Sequence, residues 1–170
     1  MPAGIPTAFL DRDGVLNVDH GYVHRIEELD WIDGAVDAVR LLNDAGFRVV
    51  VITNQSGIAR GHYDEDAVKR FHAHMQEFLT QRGARIDAFY VCPHHPEGTV
   101  APYAIDCECR KPKIGLLEQA ARDCAVDRAR SFVIGDRDGD VEAAAAFGIR
   151  GVKFDWTKQS LLEIVRELIA

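Results

Sequence analysis

Two carboxylates one residue apart, Asp11 and Asp13, end the apolar run Phe9-Leu10 near the start of the chain. If residues 5–10 form a buried strand, the two-residue alternation sends both acids to the same side of its carboxyl end, facing one pocket. Three more polar clusters follow apolar runs: Thr53-Asn54-Gln55-Ser56-Gly57, Arg110-Lys111 and Gly135-Asp136. Together they suit phosphoryl transfer. Asp11 can attack phosphorus as a nucleophile, while Asp13 protonates the departing oxygen and later takes a proton from water. Asp11, Asp136 and the backbone carbonyl of Asp13 suit a hard Mg²⁺ ion, which would offset the repulsion between nucleophile and phosphate. Thr53 and Lys111 can donate to the phosphoryl oxygens, where charge gathers in the transition state. Asp140, one turn after Asp136, is expected behind these groups, holding the magnesium waters or Lys111. Taken singly, each piece is an ordinary turn, cap or solvated charge; their occurrence in this order, each at an expected strand end, favours chemistry.

Strands are needed to carry these groups. Residues 5–10 and the β-branched run Val49-Val50-Val51-Ile52 read as buried strands, with further short ones at 88–91, 131–134 and 151–154. Val36, Val39 and Leu42 have helical spacing up to a stop at Gly46. A helix is expected over 64–82, with Val68, Phe71, Met75, Phe78 and Leu79 on one face. Ile114, Leu117, Ala121 and Cys124 mark another, whose apolar face would make Cys124 a core thiol. An alanine-rich helix over 139–147 closes at Gly148, and an amphipathic one covers 160–168. Residues 17–33 lack a sustained period and carry His20, Gly21, Tyr22, His24 and Arg25, as a functional loop would. The alternation predicts an α/β fold, with a mostly parallel sheet covered by helices on both faces. A chain of 170 residues, 47% of them hydrophobic, fits one domain over 1–170.

The formal net charge of −7 argues against a nucleic-acid or membrane-surface partner. An anionic substrate would need local help from metal ions or arginines. No apolar stretch approaches the roughly 20 residues of a membrane span, and no signal-peptide pattern opens the sequence, so a cytoplasmic protein is expected. Four cysteines in that setting suggest metal binding or packing before disulfides. Cys92-Pro93-His94 and Cys107-Glu108-Cys109 place three thiols and an imidazole at the ends of one long loop, a closed set for structural Zn²⁺ that would pin residues 92–110. On spacing alone, His95 competes with His94.

Asp11-Arg12-Asp13-Gly14-Val15, Thr53, Lys111 and Gly135-Asp136 with Asp140 resemble, in that order, the four motifs of the haloacid dehalogenase (HAD) superfamily of phosphatases, over almost the whole chain. Val15 stands where threonine is frequent and is within the pattern. The resemblance implies a Rossmann-like HAD fold and Mg²⁺ dependence. The spacings leave no segment long enough for a separate cap domain, so loops should lid the site. The cysteine loop running into Arg110-Lys111-Pro112, with Asp19-His20-Gly21-Tyr22-Val23-His24 and the stretch from Thr53 to Gly61, is similar to the branch of the superfamily that removes the 7-phosphate of D-glycero-D-manno-heptose 1,7-bisphosphate, for lipopolysaccharide core or nucleotide-heptose synthesis. That similarity implies zinc at Cys92, His94, Cys107 and Cys109. It also implies contacts to a small sugar bisphosphate from Asp19, His20, Gly21, Tyr22, Thr53, Asn54, Gln55, Ser56, Arg110, Lys111 and Arg137. The planar fork of Arg110 suits the phosphate that does not react. A monomer is expected. Residues 127–140 resemble histidinol-phosphate phosphatases at least as much, but that sister branch has a shorter zinc loop. A receiver-type signalling domain shares the acidic cluster, Thr and Lys, but has no use for the Asp13 acid or the cysteine loop.

Overall fold

The computed structural model describes residues 3–170, and its centre is a five-stranded, wholly parallel sheet. In chain order the elements are β1 (Thr7–Leu10), α1 (Ala35–Asp44), β2 (Arg48–Asn54), α2 (Glu65–Thr80), β3 (Ala88–Cys92), α3 (Gly115–Asp123), β4 (Phe132–Gly135), α4 (Asp138–Phe147), β5 (Arg150–Lys153) and α5 (Leu161–Ile169). The sheet order is β3-β2-β1-β4-β5. β1 therefore lies in the middle, with Leu10 level with Val51 on one side and Ile134 on the other. The chain reverses its winding direction there, and in such sheets the crevice at the reversal is where ligands bind.

Strand alternation sorts the core into two layers. Ala8, Leu10, Val49 and Val51 point to one face and pack with Val39 and Leu42 of α1, Phe71 and Met75 of α2, and Leu161 and Val165 of α5. Phe9, Val50, Ile52 and Val133 point to the other, against Leu116 and Leu117 of α3 and Ala144 and Phe147 of α4. Each Val, Leu, Ile, Phe or Met side chain among them contributes about 1.5–3 kcal/mol on full burial, so the strand that carries the acids is fixed on both faces.

Three local expectations change. The first strand begins at Thr7 rather than residue 5, because Pro6 has no N–H for the ladder; Ile5 makes only an isolated bridge to Val126. Within residues 17–33 a short 3-10 turn, Ile26–Glu28, is tied down by the Glu28 carboxylate, which accepts from the backbone N–H groups of His24 and Arg25 at 3.1 Å each. Cys124 is half-buried rather than a core thiol: α3 stops at Asp123, and the extended backbone at Cys124 turns it off the packed face.

Candidate active site

Asp11 follows β1 directly, held by its N–H donating to the Ile134 carbonyl at 3.0 Å, and Asp136 follows β4. Asp140 sits in the first turn of α4. One carboxylate oxygen from each of the three lies within 4.8 Å of the others. Gly14 permits the approach: its φ is +86°, and a Cβ there would stand 2.2 Å from Asp136 Oδ2.

Lys111 is buried among these acids. Its ammonium lies 2.6 Å from Asp140 Oδ1 and 3.1 Å from Asp11 Oδ1, and it donates to the Ile52 carbonyl at 2.9 Å. Burial pulls Lys111 down, but Asp11 and Asp140 outweigh it and the net shift is upward. Burial pushes Asp11 well above the ordinary carboxylate range despite Lys111, and Asp140, Asp13 and Asp136 add to the rise. Asp136 is raised as well, chiefly by burial. The cluster is short of positive charge. Asp136 Oδ1 is moreover buried with no partner, whereas Asp140 is already engaged, Oδ1 by Lys111 and Oδ2 by the Arg137 N–H at 3.1 Å. An all-oxygen set with a free, buried anionic oxygen fits a hard divalent cation.

Asp13 has a different setting. Its Oδ1 accepts from Arg12 Nη2 at 2.8 Å, Arg12 Nε at 3.2 Å and Asn17 Nδ2 at 2.9 Å, and its Oδ2 from Gln55 Nε2 at 3.0 Å. Arg12 is fully buried, donates to the Val23 carbonyl at 2.6 Å, and lies 3.3 Å from His72 Nε2 and 4.5 Å from the Phe71 ring centre. The carboxylate is held by three side chains from two segments, the loop after β1 and the turn after β2.

A cleft of about 390 Å³ opens over these groups. Asp11, Asp13, Lys111 and Asp140 form its base, and Asp19, Gly21, Tyr22, Asn54, Gln55, Ser56, Arg110 and Arg137 its walls. Asn54 fastens β2 to the returning loop, accepting from the Lys111 N–H at 3.1 Å and donating to the Lys111 carbonyl at 3.3 Å. Arg137 reaches Asp19 across the rim at 3.6 Å, and Arg110 has a buried Nη1 with no partner. Outside the cysteine loop, three of the sequence-derived site residues lie off the cleft surface: Asp136, described above, His20 and Thr53. His20 turns to Asp30 at 3.1 Å, and Thr53 is buried, its hydroxyl oxygen accepting from Gln55 Nε2 at 2.8 Å.

Sequence reasoning missed Arg12, His72 and Tyr63. Tyr63 lines the cleft, stacks on His24 with 4.6 Å between ring centres, and donates to Gln55 Oε1 at 2.6 Å. The available signal for Arg12 was its place between two acids, where a charge has little reason to be unless it pairs.

Beyond β3 the four expected metal ligands converge. Sγ of Cys92, Cys107 and Cys109 and Nδ1 of His94 all lie within 4.8 Å of one another, with Cys109 3.0 Å from Cys92 and 3.3 Å from His94. Hydrogen bonds from Cys92, then His94 and Cys107, bring the Cys109 thiol down to about 5, despite partial burial. Three sulfurs and one imidazole nitrogen so gathered fit a closed tetrahedral metal site. His95 is outside it, with Nδ1 accepting from the Glu97 N–H and Nε2 3.4 Å from Arg60.

Comparison with known proteins agrees with this geometry. The haloacid dehalogenase-like hydrolase family model matches residues 8–91, and a HAD-hydrolase-like model matches 108–154. A curated D-glycero-beta-D-manno-heptose-1,7-bisphosphate 7-phosphatase of Rhodopseudomonas palustris is 48% identical over 97% of this chain and 95% of its own. One of the same description from Yersinia pestis is 48% identical over 88% of this chain and 79% of its own. Among solved structures, a D,D-heptose 1,7-bisphosphate phosphatase from B. bronchiseptica, complexed with magnesium and phosphate, superposes with a TM-score of 0.85 at 31% identity, covering 97% of this chain and 98% of that one.

Proposed function

The chain belongs to the haloacid dehalogenase-like hydrolases, and from that premise we propose that it hydrolyses the 7-phosphate of D-glycero-D-manno-heptose 1,7-bisphosphate. The observation that carries this reading is the 48% identity to a curated enzyme of that activity over nearly the full length of both chains.

An Asp11 oxygen attacks the phosphorus of the 7-phosphate and the bond to the sugar oxygen breaks; Asp13 gives its proton to that oxygen as it leaves. Asp13, now a carboxylate, takes a proton from the water that attacks the aspartyl-phosphate, freeing Asp11 and inorganic phosphate. The environments suit unequal roles, since Asp11 is enclosed beside Lys111 while Asp13 is the more exposed of the two and has a single protein donor on Oδ2. Lys111 keeps its charge beside the incoming phosphoryl oxygens, and the Thr53 hydroxyl, which accepts from Gln55, has its own hydrogen to give them.

Asp11, Asp136 and the Asp13 backbone carbonyl would hold Mg²⁺; the unpartnered Asp136 Oδ1 and the raised Asp11 both support a cation there. When bound, that ion neutralises charge between nucleophile and phosphate. Cys92, His94, Cys107 and Cys109 would hold structural Zn²⁺. Asp19, Gly21, Tyr22, Asn54, Ser56 and Arg137 would meet the sugar, and Arg110, which lines the same cleft, would meet the 1-phosphate. The same reading makes the protein a monomeric, single-domain enzyme of the cytoplasm, lidded by loops; among the described residues no helix is long and apolar enough to cross a membrane.

Phosphate release from both anomers of heptose 1,7-bisphosphate, histidinol phosphate and fructose 1,6-bisphosphate, compared by kcat/KM, tests the proposal. A heptose bisphosphate should lead by at least about tenfold. Preference for histidinol phosphate would move the chain to the sister branch.

A further inference from the structure

We propose that Gln55, locked by the Tyr63 hydroxyl, is a positioning residue for the Asp13 carboxylate rather than a contact to substrate; this rests on the reading of Asp13 as acid and base given above. Gln55 borders the cleft, yet it is only 2% exposed and its whole amide is engaged within the protein. Its Oε1 accepts from Tyr63 Oη at 2.6 Å, and its Nε2 donates both hydrogens, to Asp13 Oδ2 at 3.0 Å and Thr53 Oγ1 at 2.8 Å. A neutral amide has no further hydrogen to give a sugar hydroxyl.

The two ends of Gln55 are not equivalent for the chemistry. With the nitrogen toward Asp13, Gln55 donates to the ionised carboxylate and cannot accept a proton from the neutral acid. The acid proton on Oδ2 is then left for the departing sugar oxygen. Turned over, the amide would present Oε1 instead: it would repel the carboxylate when ionised, and when neutral it would hold the proton that must leave. Tyr63 opposes this, because its hydroxyl would lose the Oε1 acceptor it donates to. Burial raises the phenol well above its ordinary range, so the hydroxyl stays a donor. The phenol itself is fixed by stacking on His24 and by Gly57, where a Cβ would stand 2.2 Å from the Tyr63 ring.

The test compares the single-turnover rate of leaving-group release, the step in which Asp13 acts as acid, at saturating metal-loaded enzyme on two monoesters, heptose 1,7-bisphosphate, whose leaving alkoxide needs a proton, and p-nitrophenyl phosphate, whose phenolate does not. Tyr63→Phe keeps the ring and removes the donor. It should slow the sugar ester roughly tenfold and the aryl ester less than about twofold, with half-saturation unchanged. Gln55→Ala should show the same discrimination more strongly, and adding Tyr63→Phe to it should cost nothing further, since both act through one contact. Equal losses on both esters, additive losses, or weaker saturation at an unchanged rate would each overturn the positioning role. Asp13→Asn is the reference. If it discriminates between the esters and Tyr63→Phe does not, the positioning role alone falls; if Asp13→Asn does not discriminate, the acid assignment falls and takes the positioning role with it.

Discussion

The two groups of metal-capable side chains are built by opposite means. Asp11 and Asp136 continue strands that are buried on both faces and paired along their length, so the positions of the carboxylates are set by the sheet. Cys92 closes β3, and His94, Cys107 and Cys109 lie within residues 93–114, which contain neither helix nor strand. That loop leans on the rest through Thr99 and Val100, whose N–H groups both donate to the Ala59 carbonyl, through the half-buried Cys107, Cys109 and Ile114, and at its end through the buried Lys111 and its Asn54 hydrogen bonds. On the proposed reading, a cation serves chemistry alone where the sheet supplies the framework, and supplies the framework itself where the sheet does not.

The sharpest way to test that division is to remove chemistry from the sheet side. Asp11→Asn should reduce phosphate release by at least about a thousandfold, while the unfolding midpoint stays or rises, because a buried carboxylate with a raised pKa is lost. A folded variant with appreciable turnover would remove Asp11 from the nucleophile's place. Next in size, stripping the proposed zinc with a chelator should lower kcat/KM by roughly 10–100-fold and speed amide exchange across residues 93–114, with exchange in β1 and β4 unaffected. Uniform loss of protection would mean that the loop and sheet are one structural unit. Gly14→Ala pushes on Asp136 without touching the loop; magnesium affinity measured by calorimetry should weaken by about tenfold, with bound zinc unchanged.

The smallest effect is a pH dependence confined to the sheet side. Burial, then the Arg12 charge, lowers His72 to about 3 from its ordinary 6.5, so the unfolded chain binds a proton there that the folded one refuses. Stability should therefore fall as pH drops from 6.5 toward 3, by up to about 1.4 kcal/mol per unit. Urea unfolding of His72→Gln should show a shallower decline over pH 6.5 to 4.5, and an unchanged slope would exclude His72 as the source.

The strands and the acids at their ends were legible in the sequence because each depends on near neighbours: Val49 to Ile52 declare a buried strand, and a polar residue after it can only be at its end. The convergence of Cys92, His94, Cys107 and Cys109 was legible from chemistry, since so few side chains have any reason to gather. The support around Asp13 was not. Arg12 is defined by contacts with Val23, Phe71 and His72, and Tyr63 by Gly57, Gln55 and His24, all made by folding back of separate segments. Cys124 was misread because helical spacing continues past Asp123 while the helix does not.

The central place of β1 also orders events during synthesis. β2 follows β1 closely, but the other edge of β1 waits for β4, and the Thr7 N–H waits for Ser131 Oγ, 124 residues later. Until then a strand made of Ala8, Phe9 and Leu10 presents an open, apolar edge to any other nascent chain. A fragment ending before Ser131 should accumulate as aggregate, and a soluble, protease-resistant one would show that the ribosome-bound protein protects that edge some other way.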